Sequence, residues 1–209
     1  DSTVVTAVFD QQLCTSIICI FLKQLCDRLD SVRSEAGIGL SRLVLSKDPV
    51  IPCLYGRSAL EELVGREERA HETINWSNPS EVFPRIAQFL QSELILGQQQ
   101  VESSRQDYFY FTISGLVMSV ASLSESVSKE ASSTLLMWCR QRVERKNEEI
   151  LHSLANILLE LWKSKMNMGR IVYPALKTLE LITRNGYFNC LFQLSSDEDR
   201  ALVFGTEVY

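Results

Sequence analysis

Asn75-Trp76-Ser77-Asn78-Pro79-Ser80-Glu81-Val82-Phe83-Pro84-Arg85-Ile86-Ala87-Gln88-Phe89-Leu90 is a helix start with unusual punctuation. Asn78 can cap, Pro79 suits the first helical position because its missing N–H would be unpaired anyway, and Glu81 sits where a capping-box carboxylate reaches back. Pro84 then arrives too soon. Inside a helix it removes one backbone hydrogen bond and clashes with the carbonyl of Ser80, at about 3 kcal/mol, so the helix is expected to kink or restart. The device recurs: Val50-Ile51-Pro52, Val82-Phe83-Pro84 and Val172-Tyr173-Pro174 share a valine, a bulky apolar residue and a proline. Three copies point to a repeated helical unit, since a proline in the first helix of a two-helix repeat bends it around its neighbours, as in HEAT-type repeats of about 40 residues. Their intervals are unequal, so a degenerate array fits better than a strict consensus, with coincidence as the competing explanation.

Working outward, 209 residues with 45% hydrophobic content are enough to bury a real core. A net charge of −5 and a pI near 5.2 argue against nucleic acid as a partner, because phosphate-backbone binding needs clustered, unopposed Lys and Arg. The purely apolar run from Ile17 to Leu22 falls far short of the roughly 20 residues that span a bilayer, so no membrane association is expected. The chain opens on Asp-Ser-Thr without an initiator Met or a leader-like segment, which reads as a piece of a longer protein. Six cysteines (Cys14, Cys19, Cys26, Cys53, Cys139, Cys190) lie in apolar or helical text without a Cys-x-x-Cys, the pattern of reduced, buried thiols in a cytoplasmic protein. Asn75-Trp76-Ser77 matches a glycosylation sequon, a motif too short to outweigh that reading.

Apolar spacing sets the element plan. Leu13, Ile17, Ile20 and Leu25 mark one helix within Val4–Cys26; Val32, Ala36, Leu40 and Leu43 mark a second within Leu29–Ser46, packed antiparallel to the first. Arg57–His71 reads as a charged, more exposed helical segment. Pro79–Ser92 is the proline-bearing helix, and Gln98–Arg105 is a polar connection expected to form a loop. Asp107–Leu123 is apolar on nearly every side, as in a helix covered all round, and its Tyr-Phe-Tyr-Phe start lacks a second strand to pair with. Ser124 or Ser126 can cap the next helix, running toward Arg142. Ile150, Leu154, Leu158 and Leu161 stripe the one after it. Val172, Leu176, Leu179 and Ile182 mark the last, which ends at Asn185-Gly186. Trp138 and Trp162 are expected to anchor cores. The fold class is all-α, a single domain over 1–209, with loops near 47–56, 97–105 and 195–209.

Residues for chemistry are scarce. His71 and His152 have no second ligand at i+4 and no Cys at metal spacing, so no metal, no catalytic set and no cofactor is expected. Gly37-Ile38-Gly39 lacks the third glycine of a dinucleotide loop, and no phosphate-cradling Gly-Lys motif occurs. Glu61-Glu62 and Asp197-Glu198-Asp199 sit in solvated text where nothing raises a carboxylate toward acid catalysis. Arg140, Arg142, Arg145 and Lys146 are expected to complement a helix C-terminus.

Four stretches carry a family resemblance. Asn75-Trp76-Ser77-Asn78-Pro79-Ser80 leading into Phe83-Pro84-Arg85-Ile86, Asp27-Arg28-Leu29-Asp30-Ser31-Val32-Arg33, Ser114-Gly115-Leu116-Val117-Met118-Ser119-Val120 with Leu123-Ser124-Glu125-Ser126, and Val172-Tyr173-Pro174-Ala175-Leu176-Lys177-Thr178-Leu179 with Asn185-Gly186-Tyr187-Phe188 resemble, in order, the carboxy-terminal region of the tubulin-folding cofactor D family. Leu123-Ser124, where the family has Leu-Thr, and Gln98–Arg105, which looks like an insertion, depart from its pattern. The resemblance implies a HEAT/armadillo-like α-solenoid of antiparallel helix pairs, the carboxy-terminal part of a longer chain. It also implies a chaperone scaffold that binds β-tubulin and, with other tubulin-folding cofactors and an Arf-like small GTPase, assembles or dismantles the αβ-tubulin heterodimer. Any GTP hydrolysis would occur in tubulin, promoted jointly with those cofactors. The alternative is an unrelated HEAT-repeat adaptor in transport or trafficking, against which Asn-Trp-Ser ahead of the cap is the discriminating feature. Arg28, Arg33, Arg57 and Arg85 are the exposed candidates for partner binding, because Arg is favoured at interface anchors; salt bridges within repeats are the competing role.

Overall fold

The computed structural model describes residues 11–47, 54–66, 73–92, 103–164 and 168–189, and among these every regular element is a helix. In chain order they are α1 (Gln11–Leu25), α2 (Asp30–Val44), α3 (Arg57–Val64), α4 (Pro79–Gln91), α5 (Ser103–Val120), α6 (Glu125–Glu144), α7 (Glu148–Ser164) and α8 (Gly169–Arg184). Two layers form. One runs α1, α5, α8; the other runs α2, α3, α4, α6; α7 closes the end against α5, α6 and α8. The pairs α1/α2, α5/α6 and α7/α8 are each joined by a short connection, as in an α-solenoid, and α3 with α4 carries the second layer from α2 to α6.

At the centre, α5 buries Tyr108, Phe109, Ile113, Leu116, Val117 and Val120 together with Thr112, Ser114 and Ser119. Its all-round apolar text is explained by neighbours on every side, α1, α6, α7 and α8. Gly115 lets α1 come close: a Cβ there would stand 2.6 Å from the Lys23 carbonyl oxygen and 2.8 Å from Cys26 Cβ. Ser119 Oγ donates to the Cys26 carbonyl, locking the end of α5 to the turn after α1.

The start of α4 is capped as expected in part. Asn78 Oδ1 accepts from the Ser80 N–H at 3.1 Å. The Glu81 carboxylate, however, passes the cap N–H, which already donates to the Asn75 carbonyl, and accepts from the Asn75 N–H at 3.0 Å and the Asn78 side-chain amide at 3.1 Å. The helix neither stops nor restarts at Pro84 but continues to Gln91. Pro84 and Pro174 are each the sixth residue of their helix, and the carbonyls they leave unmatched belong to Ser80 and Arg170, exposed residues where water can serve them. The shared Val-x-Pro pattern does not mark equivalent environments: Val82 and Phe83 are buried and Pro84 is exposed, whereas Tyr173 is exposed and Pro174 is buried. Val50-Ile51-Pro52 lies outside the described residues.

Three helix faces differ from the spacing. α1 packs through Cys14, Ile18, Cys19, Leu22, Leu25 and Cys26 while Leu13 and Ile20 face solvent. α8 packs through Pro174, Ala175, Thr178 and Ile182, leaving Tyr173, Leu176 and Leu179 outside. In both, small side chains allow close helix approach, and cysteine behaves as a small hydrophobe. α3 is not mainly exposed, since Ala59, Leu60, Leu63 and Val64 are core. On α7 the expected Leu154 and Leu158 are joined by Leu151 and Ile157, with Ile150 and Leu161 packed at the edge. Trp138 is fully buried, 5.5 Å from Phe109 ring to ring, and its Nε1 donates to the Leu90 carbonyl at 3.3 Å; Trp162 is 40% exposed and is not part of the buried core. Ser103–Arg105 already belong to α5 rather than to a loop. The remainder of the expected loops at 48–53, 97–102 and 195–209 lies outside the described residues, whereas Leu54–Gly56 do form the turn into α3.

The ends of α6 and α8 share one geometry. Beyond α8, Tyr187 N–H bonds the Ile182 carbonyl and Gly186 N–H the Thr183 carbonyl, with Gly186 at φ +74; beyond α6, Asn147 and Lys146 do the same to Arg142 and Val143, with Lys146 at φ +53. A side chain in the left-handed region costs about 1–2 kcal/mol, part of which glycine returns as unfolded-chain entropy. Lys146→Gly is expected to raise the unfolding free energy by about 0.5–1 kcal/mol. A urea titration that shows a loss of stability contradicts this.

Candidate partner-binding surface

Three of the four candidate arginines turn inward onto backbone carbonyls, Arg57 and Arg85 at the end of the preceding helix and Arg33 at the α1–α2 turn and the segment ahead of α4. Arg33 is completely buried, against the expectation of exposure: its Nη1 donates to the Asp27 carbonyl at 2.8 Å, and its Nη2 to Asp30 Oδ1 at 2.5 Å and to the Ser77 carbonyl. Arg57, half-buried, donates to the Val44 carbonyl at 3.0 Å and lies 3.8 Å from Glu61. Arg85, also half-buried, donates to the Leu63 carbonyl at 3.3 Å across the narrow α3–α4 seam. Helix C-termini leave unpaired carbonyls and a partial negative charge, which a guanidinium answers on both counts. An ion pair within the chain accompanies Arg33 (Asp30) and Arg57 (Glu61), but the contact common to all three is to backbone carbonyls rather than the expected salt bridges, and of the four only Arg28 is exposed.

Asn75-Trp76-Ser77 acquires a packing role from the same region. Trp76 is buried with its ring against Gly37 of α2, and Ser77 receives the Arg33 guanidinium, so the segment fastens the entrance of α4 to α2. Its presence ahead of the cap is explained by packing and does not separate a tubulin cofactor from another helical scaffold.

Arg28 opens onto a groove of about 520 Å³ between the end of α1, the middle of α5, the α5–α6 turn and the start of α8. Lys23, Arg28 and Arg170 are its exposed cations. Among the described residues Asp27 is the one carboxylate lining it, and its Oδ1 already accepts from the Leu29 N–H at 2.8 Å. Between the charges stand Leu123, 98% exposed, Tyr173, 61% exposed, and the half-buried Ile171 and Leu161. A second cleft of about 420 Å³ lies between α5 and α7, where the Tyr110 hydroxyl donates to Glu160 Oε1 at 3.4 Å; burial first, and the Glu160 charge second, raise the phenol above its ordinary range.

The other titratable groups are structural in their surroundings. Burial pushes the Cys139 thiol up to about 12, and burial with the neighbouring Asp27 charge raises Cys26 further; Cys14, Cys19, Cys26 and Cys139 are all buried thiols, while Cys53 and Cys190 lie outside the described residues. Burial also raises Tyr108. His152 is exposed on α7 and His71 is outside the described residues, as is Asp197-Glu198-Asp199. Glu62 accepts from Gln88 Nε2 at 2.6 Å. The basic cluster at the end of α6 divides: Arg140 pairs with Glu144 at 2.9 Å, whereas Arg142 is buried beside Trp138, 5.9 Å from its ring centroid, where burial and then Arg145 lower its pKa. Among the described residues no group of three His, Cys, Asp or Glu could hold a metal ion, and no helix is long and apolar enough to cross a membrane.

Lys23, Arg170, Leu123 and Tyr173 were not legible as site residues one by one. Arg170 did carry a signal, a cation in the first turn of a helix, where the macrodipole disfavours it. Compared with known proteins, residues 15–205 match a family model described as Tubulin folding cofactor D C terminal. No solved structure matches the chain.

Proposed function

This chain belongs to the tubulin folding cofactor D C-terminal family, and from that membership we propose that it is a non-enzymatic scaffold that holds β-tubulin during assembly or disassembly of the αβ heterodimer. The family match over residues 15–205 is the observation that carries this reading. In it, the chain is the carboxy-terminal part of a longer cytoplasmic solenoid, acting with the other tubulin-folding cofactors and an Arf-like small GTPase. Its share in GTPase activation is to position tubulin, with hydrolysis in the client. The helical layers support such a role physically, because a stacked surface can offer the roughly 1,200 Å² or more that a specific protein interface buries without a single deep pocket.

The test is co-elution. Purified 209-residue chain mixed with β-tubulin is expected to migrate as a complex on size exclusion and to leave the intrinsic GTP hydrolysis of free tubulin unchanged when no other cofactor is present. Absence of a complex overturns the binding role, and hydrolysis accelerated by this chain alone overturns the non-enzymatic one.

A further inference from the structure

We propose that the groove between α1, α5 and α8 receives an extended acidic segment of a partner protein, with Lys23, Arg28 and Arg170 meeting its carboxylates and one apolar side chain seated among Leu123, Ile171 and Tyr173. The proposal rests on the scaffold reading and names the chemistry that one of its surfaces recognises. On a chain of net charge −5, this groove concentrates three exposed cations, none of which pairs with a carboxylate among the described residues. Asp27, its one acid among the described residues, is held by its own turn. α8 begins at the groove with no side-chain cap at Met168, so the positive end of its dipole adds to the same field.

The volume, about 520 Å³, falls in the usual range of roughly 300–1,000 Å³ for ligand clefts. Leu123 and Tyr173, both exposed, stand in the same groove as the cations and give it an apolar contact beside the charges. A second copy of this chain is the poorer occupant: a two-fold contact through this face would set the same positive rim against itself. A nucleic acid would meet too few cations on an acidic molecule.

The experiment titrates the 209-residue chain into a labelled synthetic peptide, Asp-Glu-Glu-Leu-Glu-Glu-Asp, by fluorescence anisotropy. Saturable binding is expected, weakened about tenfold in the Arg28→Glu/Arg170→Glu double variant and likewise when the peptide leucine is replaced by glycine. Rising salt should weaken it further, since exposed charges are screened within about 8 Å at physiological ionic strength. Arg28→Gln/Arg170→Gln is measured beside it, with circular dichroism confirming that both variants keep the parent's helicity, as two exposed, unpaired side chains should allow. No binding, equal binding of the peptide with Lys in place of its acids, or unchanged affinity in both folded variants overturns the proposal. So does a concentration-dependent dimer in light scattering that both variants abolish, or equal capture by phosphatidylserine vesicles. β-Tubulin capture is run in parallel: a chain that holds β-tubulin but ignores the peptide overturns the groove assignment alone. A chain that binds the peptide but not β-tubulin supports the groove and overturns the choice of client.

Discussion

Replacing Gly37 by alanine is expected to lower the unfolding free energy by about 3 kcal/mol, although the same change in an unobstructed helix would gain about 1 kcal/mol. The added methyl would stand 2.2 Å from the Trp76 indole, far inside van der Waals contact. Trp76 cannot swing away, because it is only 2% exposed and the Arg33 bond to the next residue holds its backbone in place. Interiors this dense answer an inserted carbon with strained rotamers or backbone shifts. The control is a double-mutant cycle. In a Trp76→Ala background, itself weakened by roughly 3–5 kcal/mol, Gly37→Ala should become neutral or mildly stabilising. Chemical denaturation followed by circular dichroism decides it, and an equal penalty in both backgrounds would dismiss the Gly37–Trp76 contact as its cause.

Arg33→Met is the second large effect, with an expected loss of about 3 kcal/mol. Methionine keeps the aliphatic stem, so what disappears is the guanidinium that serves the Asp27 and Ser77 carbonyls, each bond to a charged donor contributing about 1.5–3 kcal/mol. Asp30, whose side chain is 70% exposed, can return to water, and Asp30→Asn should therefore cost less than about 1 kcal/mol. Thermal unfolding of the two variants separates these contributions, and similar penalties would mean that the ion pair rather than the carbonyl contacts matters. Loss of partner capture in an Arg33 variant would then report a broken fold, since this side chain has no access to a partner.

These two residues show where sequence reasoning succeeds and where it stops. The all-helical class follows from local periodicity, and the burial of α5 follows from text that is apolar on nearly every side, as Tyr108, Ile113, Leu116 and Val117 confirm. The start of α4 was legible for the same reason, since the Asn78 cap and Pro79 act on their immediate neighbours, whereas Glu81 reaches past the cap N–H to the Asn75 N–H. Arg33 was misread because its burial depends on a carbonyl at Ser77, which no local pattern announces. The packing faces of α1 and α8 were displaced because cysteine, alanine and threonine look like spacers beside leucine, yet close-packed helices meet through them. The groove was invisible as a unit, since Lys23, Leu123 and Arg170 come from separate stretches that only the α1–α5–α8 layer brings together.

The central claim is that this helical stack meets its client through the face bearing Lys23, Arg28 and Arg170, while Arg33, Arg57 and Arg85 serve the interior. Hydrogen–deuterium exchange of the chain with and without β-tubulin tests it most directly. Protection concentrated in residues 23–28, 114–123 and 168–176 is the predicted result. Protection centred instead on α3 and α4, or no change anywhere at saturating β-tubulin, would contradict it.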